Sequence, residues 1–127
     1  RPDGYYGLSK AYGELMGRLY WDKHGIETAC LRIFSSFPEP VDRRMLWSWL
    51  SLADCVRLVE AALTAPFVVH TIAFGTSDNT VKATDNSGAA HLGFRPQDSS
   101  EPFRAKVESA APALDPASPA GRYLGGK

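Results

Sequence analysis

The chain has 127 residues, the length of one domain, and its 14 lysines and arginines are balanced by 14 aspartates and glutamates. This balance leaves no basic stripe and argues against nucleic acid as a partner. No apolar run approaches the roughly 18 residues that would suggest a membrane span. Cys30 and Cys55 are the only cysteines and the three histidines are scattered. We therefore expect no metal site and a reduced, cytoplasmic compartment.

The first predicted element is an amphipathic helix over residues 4–24, because apolar side chains recur at the spacing of one helical face. This stripe consists of Leu8, Ala11, Tyr12, Leu15 and Leu19. Gly25 follows where a left-handed glycine commonly ends a helix. Gly13 and Gly17 lie on the same side as Tyr6 and Lys10. There they leave room for a close-packed element, a cofactor or a partner subunit.

Strands are predicted at residues 27–34 and 67–74, because both runs are rich in apolar and β-compatible side chains. The intervening stretch holds a proline-containing loop at 37–40 and a short extended segment at 46–50. Ser51 and Asp54 predict the capped start of a second helix, which Pro66 ends. Its buried face is expected to comprise Leu52, Cys55, Val56, Val59, Ala62 and Leu63.

Residues 76–98 are rich in turn formers, a last short helix is expected from Ser100 to about Ser109, and an extended tail follows. Alternation of helices and strands predicts an α/β domain with a parallel sheet. We expect a single partial domain over 1–127, in which residues 1–75 carry the sheet and the first helix. Residues 76–127 would form a small substrate-side segment and the tail.

Tyr6 and Lys10 are four residues apart at the head of the first helix, so both side chains share one helical face. A phenol is a poor base at neutral pH because its pKa is about 10, and a nearby cation favours the phenolate. A tyrosine in this position can accept a proton from a substrate hydroxyl. The same spacing recurs at Tyr123 and Lys127, but in a glycine-rich tail where no helix would hold the two side chains together.

Several motifs occur in a characteristic order along nearly the whole chain. They are Tyr6-Gly-Leu-Ser-Lys10, Leu31-Arg-Ile33, Ser35-Ser-Phe-Pro-Glu-Pro40, Arg44-Met-Leu46, Trp49-Leu-Ser51, Asp85-Asn-Ser87 and Leu92-Gly-Phe-Arg-Pro96. Together they resemble the extended short-chain dehydrogenase/reductases, and within them the uronate dehydrogenase branch. The resemblance implies the C-terminal portion of a Rossmann-like parallel sheet with flanking helices and a small substrate-binding region.

The resemblance also implies roles for four residues. Tyr6 would be the catalytic base, and Lys10 would support it and hold the nicotinamide ribose of NAD. Arg44 would bind the carboxylate of a uronic acid, since a guanidinium pairs with a carboxylate through two hydrogen bonds. Ser35 would contact the same substrate, while Arg43 would face solvent. The implied reaction is the oxidation of glucuronate or galacturonate to its aldarolactone.

Two other interpretations of the function remain open. Nucleotide-sugar epimerases and dehydratases share the tyrosine–lysine pair, although the stretch from Ser35 to Leu50 is short for their nucleotide-binding insertion. The chain begins at Arg1 and contains no glycine-rich phosphate loop. We therefore expect it to be the C-terminal half of a larger protein and do not expect it to bind NAD well by itself. A non-catalytic fragment would expose a sheet edge and an apolar face, and we expect it to form homo-oligomers or to aggregate.

Overall fold

The computed structural model describes Pro2, residues 4–113 and residues 115–119. The predicted extended tail therefore lies partly, and the Tyr123–Lys127 pair wholly, outside the described residues. Helices and strands alternate along the described chain as the sequence predicts. The elements are α1 (Tyr5–His24), β1 (Thr28–Ile33), β2 (Ser35–Ser36), α2 (Met45–Ser48), β3 (Trp49–Leu50), α3 (Leu52–Thr64), β4 (His70–Gly75), 3-10 turns at Ser87–Leu92 and Glu101–Phe103, and α4 (Arg104–Ala110).

The strands form two parallel pairs. β1 pairs with β4 in a register from Thr28 opposite His70 to Ile33 opposite Gly75. β2 pairs with β3, which places Ser35 opposite Trp49. Among the described residues, β1 has a strand on one edge only. That free edge carries unpaired backbone groups able to bind another strand.

Helices cover both faces of the β1–β4 pair, since successive side chains of a strand point to opposite faces. α1 lies on the face that carries Thr28 and His70, where the position a Cβ would take on Gly17 is 2.9 Å from Thr28 Cγ2. Gly17 thus permits close helix–sheet packing. The other face packs against α3 and the 87–92 turn, with a core of Ala73, Ala89 and Leu92 that Leu31, Ala65 and Val68 extend.

The end of α1 is confirmed. Gly25 adopts φ +66°, its N–H donates to the Trp21 carbonyl, and the N–H of Ile26 donates to the Tyr20 carbonyl. The start of α3 is confirmed as well, because Ser51 Oγ accepts a hydrogen bond from the Asp54 N–H. The Asp54 side chain does not return that bond as in a full capping box, and the Ser51 N–H donates instead to Ser77 Oγ at 3.0 Å.

The apolar stripe of α1 is largely exposed, and most residues of the α3 face that was predicted to be buried are exposed as well. On α1, the stripe from Leu8 to Leu19 points away from the sheet, and Leu15 is 70 % exposed. On α3, the predicted face was wrong: Leu63 is 79 % exposed, whereas Asp54 and Leu58 are buried. The apolar pattern identifies a surface suited to packing against another element, but it does not identify that element.

Two segment predictions also need correction. Residues 46–50 are not a single extended segment, because α2 forms a helical turn before the two residues of β3. The second long strand begins at His70 rather than residue 67. Val69 has φ +58°, a left-handed conformation that creates a turn just before the strand. No helix among the described residues is long and apolar enough to span a membrane.

Candidate active site

The candidate site residues lie toward the edge where β1 and β4 end. In parallel α/β sheets, ligands bind beyond the carboxyl ends of the strands. α1 runs antiparallel to β1, since Gly17 packs against Thr28 at the start of the strand and Glu14 bonds Arg32 near its end. Going further toward the amino end of α1 leads past that edge, to Lys10 and then to Tyr6. The helix direction therefore carries both residues to the side on which ligands bind.

Tyr6 and Lys10 are brought together. Lys10 Nζ lies 5.2 Å from the centroid of the Tyr6 ring. The Ser9 hydroxyl donates to the Tyr6 carbonyl at 2.8 Å within the same helical turn. Tyr6 is 76 % exposed, so its hydroxyl is accessible to a ligand. The arrangement has a phenol beside an ammonium, both presented from a rigid helix.

Ser35 and Arg44 line one small open pocket together with Phe34, Trp47 and Ser48. Its volume of about 30 Å³ is the space of roughly one water molecule. Ser35 is buried in β2 directly after β1, and Arg44 lies half-buried at the start of α2. The structure therefore places the hydroxyl of a strand residue and the guanidinium of a helix-start residue at the same concave surface.

Sequence reasoning missed a side-chain cluster between α1 and this pocket. Glu14 and Arg32 form two hydrogen bonds, each of 2.7 Å. The hydrogen bond from Arg32 is the main reason that the pKa of Glu14 is lowered. Arg32 also lies 5.4 Å from the Phe74 ring centroid, and Phe74 stacks on the pocket residue Phe34 at 5.9 Å. Glu14 is one turn from Lys10, so the cluster fixes α1 relative to the pocket.

Asp54 is a second residue whose structural importance the sequence did not show. Its carboxylate is completely buried. It accepts hydrogen bonds from Ser77 Oγ at 2.6 Å and from the N–H groups of Gln97 and Asp98 at 2.9 and 3.0 Å. Arg57 adds an ion pair at 2.6 Å. Burial by itself raises the pKa of Asp54, but these donors outweigh it and the pKa is lowered. The residue thus joins α3 to the 77–98 segment.

The interpretation of Arg43 as a solvent-facing residue was wrong. Its guanidinium donates to the carbonyls of Ala111 and Glu108 at 2.8 Å each. These acceptors lie at the carboxyl end of α4, where orphan carbonyls attract a cation. Arg43 therefore ties the loop before α2 to the last helix, and Arg44 beside it is the one that lines the pocket.

The parallel strands with flanking helices have the arrangement of part of a Rossmann-like fold, and this fold is shared with solved structures. No protein-family model matches the chain. It is 55 % identical over 127 residues to the uronate dehydrogenase of Pseudomonas putida, covering 99 % of this chain and 47 % of that enzyme. The resemblance to uronate dehydrogenases stated from the motifs is thereby confirmed.

Solved structures agree with this similarity. The glucuronic acid dehydrogenase of Chromohalobacter salexigens matches with a TM-score of 0.94 and 48 % identity, over 99 % of this chain and 47 % of that one. A tyrosine-to-alanine variant of Agrobacterium tumefaciens uronate dehydrogenase, solved with NAD, matches with a TM-score of 0.92 and 43 % identity, over 99 % and 48 %. The chain thus spans about half the length of the enzymes it matches.

Proposed function

We propose that this chain supplies the proton-accepting and carboxylate-binding part of an NAD-dependent uronate dehydrogenase, which oxidises glucuronate or galacturonate to the aldarolactone. The observation that carries the proposal is the exposed Tyr6–Lys10 pair toward the carboxyl edge of the sheet, beside a pocket that Ser35 and Arg44 line. The similarity to uronate dehydrogenases supports the choice of substrate.

Tyr6 is assigned the base. Oxidation of the anomeric carbon removes a hydride from carbon and a proton from its hydroxyl, and the Tyr6 phenolate accepts that proton. The Lys10 ammonium lies 5.2 Å from the centroid of the Tyr6 ring. Presentation of both groups from one helix keeps their geometry fixed during the transfer.

NAD, when bound, would take up the hydride. Lys10 and Tyr6 are both exposed, and their ammonium and hydroxyl suit the hydroxyls of the nicotinamide ribose. The sequence has no glycine-rich loop to hold the pyrophosphate. Contacts to the remainder of the dinucleotide would accordingly come from outside this chain, which matches only about 47 % of a complete relative.

Arg44 is assigned to the substrate carboxylate. A uronate differs from a neutral aldose by this carboxylate, and a guanidinium binds it through two parallel charge-assisted hydrogen bonds. Ser35, buried on the adjacent wall of the pocket, would donate or accept a hydrogen bond to the same sugar. Discrimination between uronates and neutral sugars then rests on this pocket.

The proposal is tested with a chimera in which this chain replaces the matching 47 % of the Pseudomonas putida enzyme. Reduction of NAD is followed by absorbance with galacturonate, with glucuronate, and with galactose as a control that lacks the carboxylate. Turnover of a uronate, with little or none of galactose, is the expected result. A folded chimera that binds NAD but reduces none of it with either uronate would contradict the proposal.

A second candidate function is that of a folded module that associates with copies of itself. The outer surface of α1 favours it. Leu8, Tyr12, Leu15 and Leu19 follow a 4-3-4 spacing and lie roughly opposite the side on which Glu14 and Gly17 meet the sheet. This spacing reads the same in both directions, as a contact between two antiparallel copies of one helix requires.

Sedimentation equilibrium of the chain alone at micromolar concentration tests this candidate. We expect dimers or larger species, and Leu15→Glu should shift the equilibrium toward monomer. Leu63→Glu serves as the matched control, because Leu63 is equally exposed but lies on α3. A strictly monomeric wild-type chain, or equal effects of both substitutions, would contradict a specific contact through α1.

A further inference from the structure

Two buried side chains from distant parts of the sequence hold the backbone that follows Arg44. Asn79 Nδ2 donates to the Trp49 carbonyl at 2.9 Å and to the Trp47 carbonyl at 3.4 Å. Ser100 Oγ donates to the Leu46 carbonyl at 2.7 Å. The two are linked, since Asn79 Oδ1 accepts from the Ser100 N–H at 3.0 Å. Asn79 is 1 % exposed and Ser100 is fully buried.

The segment they hold has little stability of its own. α2 has four residues, fewer than any isolated helix needs to persist in water. Its first turn is closed by hydrogen bonds to the Arg44 carbonyl from the N–H and the hydroxyl of Ser48, at 3.1 and 3.0 Å. The conformation of Arg44 thus depends on a turn whose Leu46 and Trp47 carbonyls accept hydrogen bonds from Ser100 and Asn79.

The same turn supplies two further walls of the pocket, Trp47 and Ser48. A displacement of the turn would therefore move Arg44 and the pocket walls together. Misplacement of a binding group by about 1 Å can cost a reaction on the order of 100-fold. Asn79 itself does not line the pocket, so any effect it has on the substrate must pass through the turn.

We propose that Asn79, with Ser100, is a positioning residue for uronate recognition, acting by fixing the turn that carries Arg44. This inference rests on the proposed function. It assigns a specific task to Asn79 and Ser100, which lie outside the motifs recognised in the sequence. Loss of Asn79 should weaken uronate binding selectively and leave the Tyr6–Lys10 pair on α1 unchanged.

Asn86 provides a matched control for Asn79. Its side chain likewise bonds backbone at both ends, accepting from the Phe74 N–H and donating to the Phe74 carbonyl at 2.8 Å each. Those contacts are to β4 rather than to the turn after Arg44. Asn86→Ala therefore removes a similar pair of hydrogen bonds without releasing the turn, and it reports what a general loss of stability does to the kinetics.

The experiment compares Asn79→Ala, Ser100→Ala and Asn86→Ala in the chimera. We expect Asn79→Ala to raise the KM for uronate about tenfold or more while kcat and the KM for NAD change less than about threefold. Ser100→Ala, the milder change, should show the same split to a smaller degree. If Asn79→Ala shifts the KM for uronate no more than Asn86→Ala does, the positioning role is refuted.

A second measurement separates failure of this inference from failure of the proposed function. Amide hydrogen exchange is recorded for residues 45–50 in the chain alone. Asn79→Ala should accelerate exchange there, and Asn86→Ala should not, whether or not the chimera is active. An inactive unmutated chimera would count against the proposed function, whereas unchanged exchange in Asn79→Ala would overturn the positioning role by itself.

Discussion

Replacement of Asp54 by asparagine tests the interaction that connects α3 with the 77–98 segment. The two carboxylate oxygens divide four donors between them. Oδ1 accepts from Arg57 and the Gln97 N–H, and Oδ2 accepts from Ser77 and the Asp98 N–H. Asparagine keeps one acceptor oxygen, so its NH2 group must face one of these two pairs of donors.

The structure indicates which orientation costs less. With the NH2 group on the Oδ2 side, the Ser77 hydroxyl can rotate and accept, but the Asp98 N–H loses its acceptor. One buried unsatisfied donor costs about 1–3 kcal/mol, and hydrogen bonds to a charged group are about 1 kcal/mol stronger than neutral ones. The expected loss is about 3 kcal/mol in the free energy of unfolding, a large share of the roughly 5–15 kcal/mol of a typical domain.

Urea unfolding followed by circular dichroism measures this loss. Asp22→Asn is the control, because Asp22 forms an exposed i,i+4 pair with Arg18 at 2.9 Å and such pairs contribute less than about 1 kcal/mol. The pKa of Asp54 is lowered in the fold, so its stabilisation exists above the unfolded pKa of about 3.9 and disappears as pH falls below it. A loss in Asp54→Asn no larger than that in Asp22→Asn at pH 7 would show that the buried carboxylate does not stabilise the fold.

Three further outcomes are expected. Gly13→Ala should raise the free energy of unfolding by about 1 kcal/mol, because alanine has the higher helix propensity. Gly17→Ala should lower it by about 1–2 kcal/mol, because of these two positions only Gly17 would place the added methyl against the sheet. Urea unfolding of both variants measures these changes. In the chimera, Arg44→Ala should raise the KM for uronate about tenfold or more with the KM for NAD little changed, and equal increases would remove Arg44 from the substrate pocket. The backbone N–H groups of Val69 and Val68 lower the pKa of Glu27, so its stabilisation is lost as pH falls below about 4.3. Melting temperatures between pH 6 and pH 3 should accordingly fall less in Glu27→Gln than in wild type, and parallel curves would contradict this.

The sequence predicted correctly those features that depend on residues close together in the chain. The carboxyl end of α1 follows from the backbone freedom of Gly25, and the start of α3 follows from the hydroxyl of Ser51; both act within one helical turn. The parallel pairing of β1 and β4 follows from the helix between them. The pairing of Tyr6 with Lys10 follows from helical spacing alone.

Features that depend on long-range contacts could not be predicted in this way. Leu63 belongs to an apolar stripe like any buried face, yet it is exposed because no described element packs there. Arg43 and Arg44 are adjacent and chemically identical, and only the position of α4 decides which one binds its carbonyls. Asn79 lies in a turn-rich stretch and outside the motifs recognised there, so only the folded chain shows that it bonds the turn after Arg44.

NAD reduction by the uronate-oxidising chimera with Tyr6→Phe shows whether this chain carries the catalytic base. Tyr12→Phe is the matched control, since Tyr12 is a similarly exposed tyrosine of α1 on the surface turned away from the sheet. We expect Tyr6→Phe to lower kcat at least about 100-fold, the usual scale of general-base catalysis. Tyr12→Phe should retain the turnover of the unmutated chimera. Wild-type turnover in Tyr6→Phe would show that another group accepts the proton.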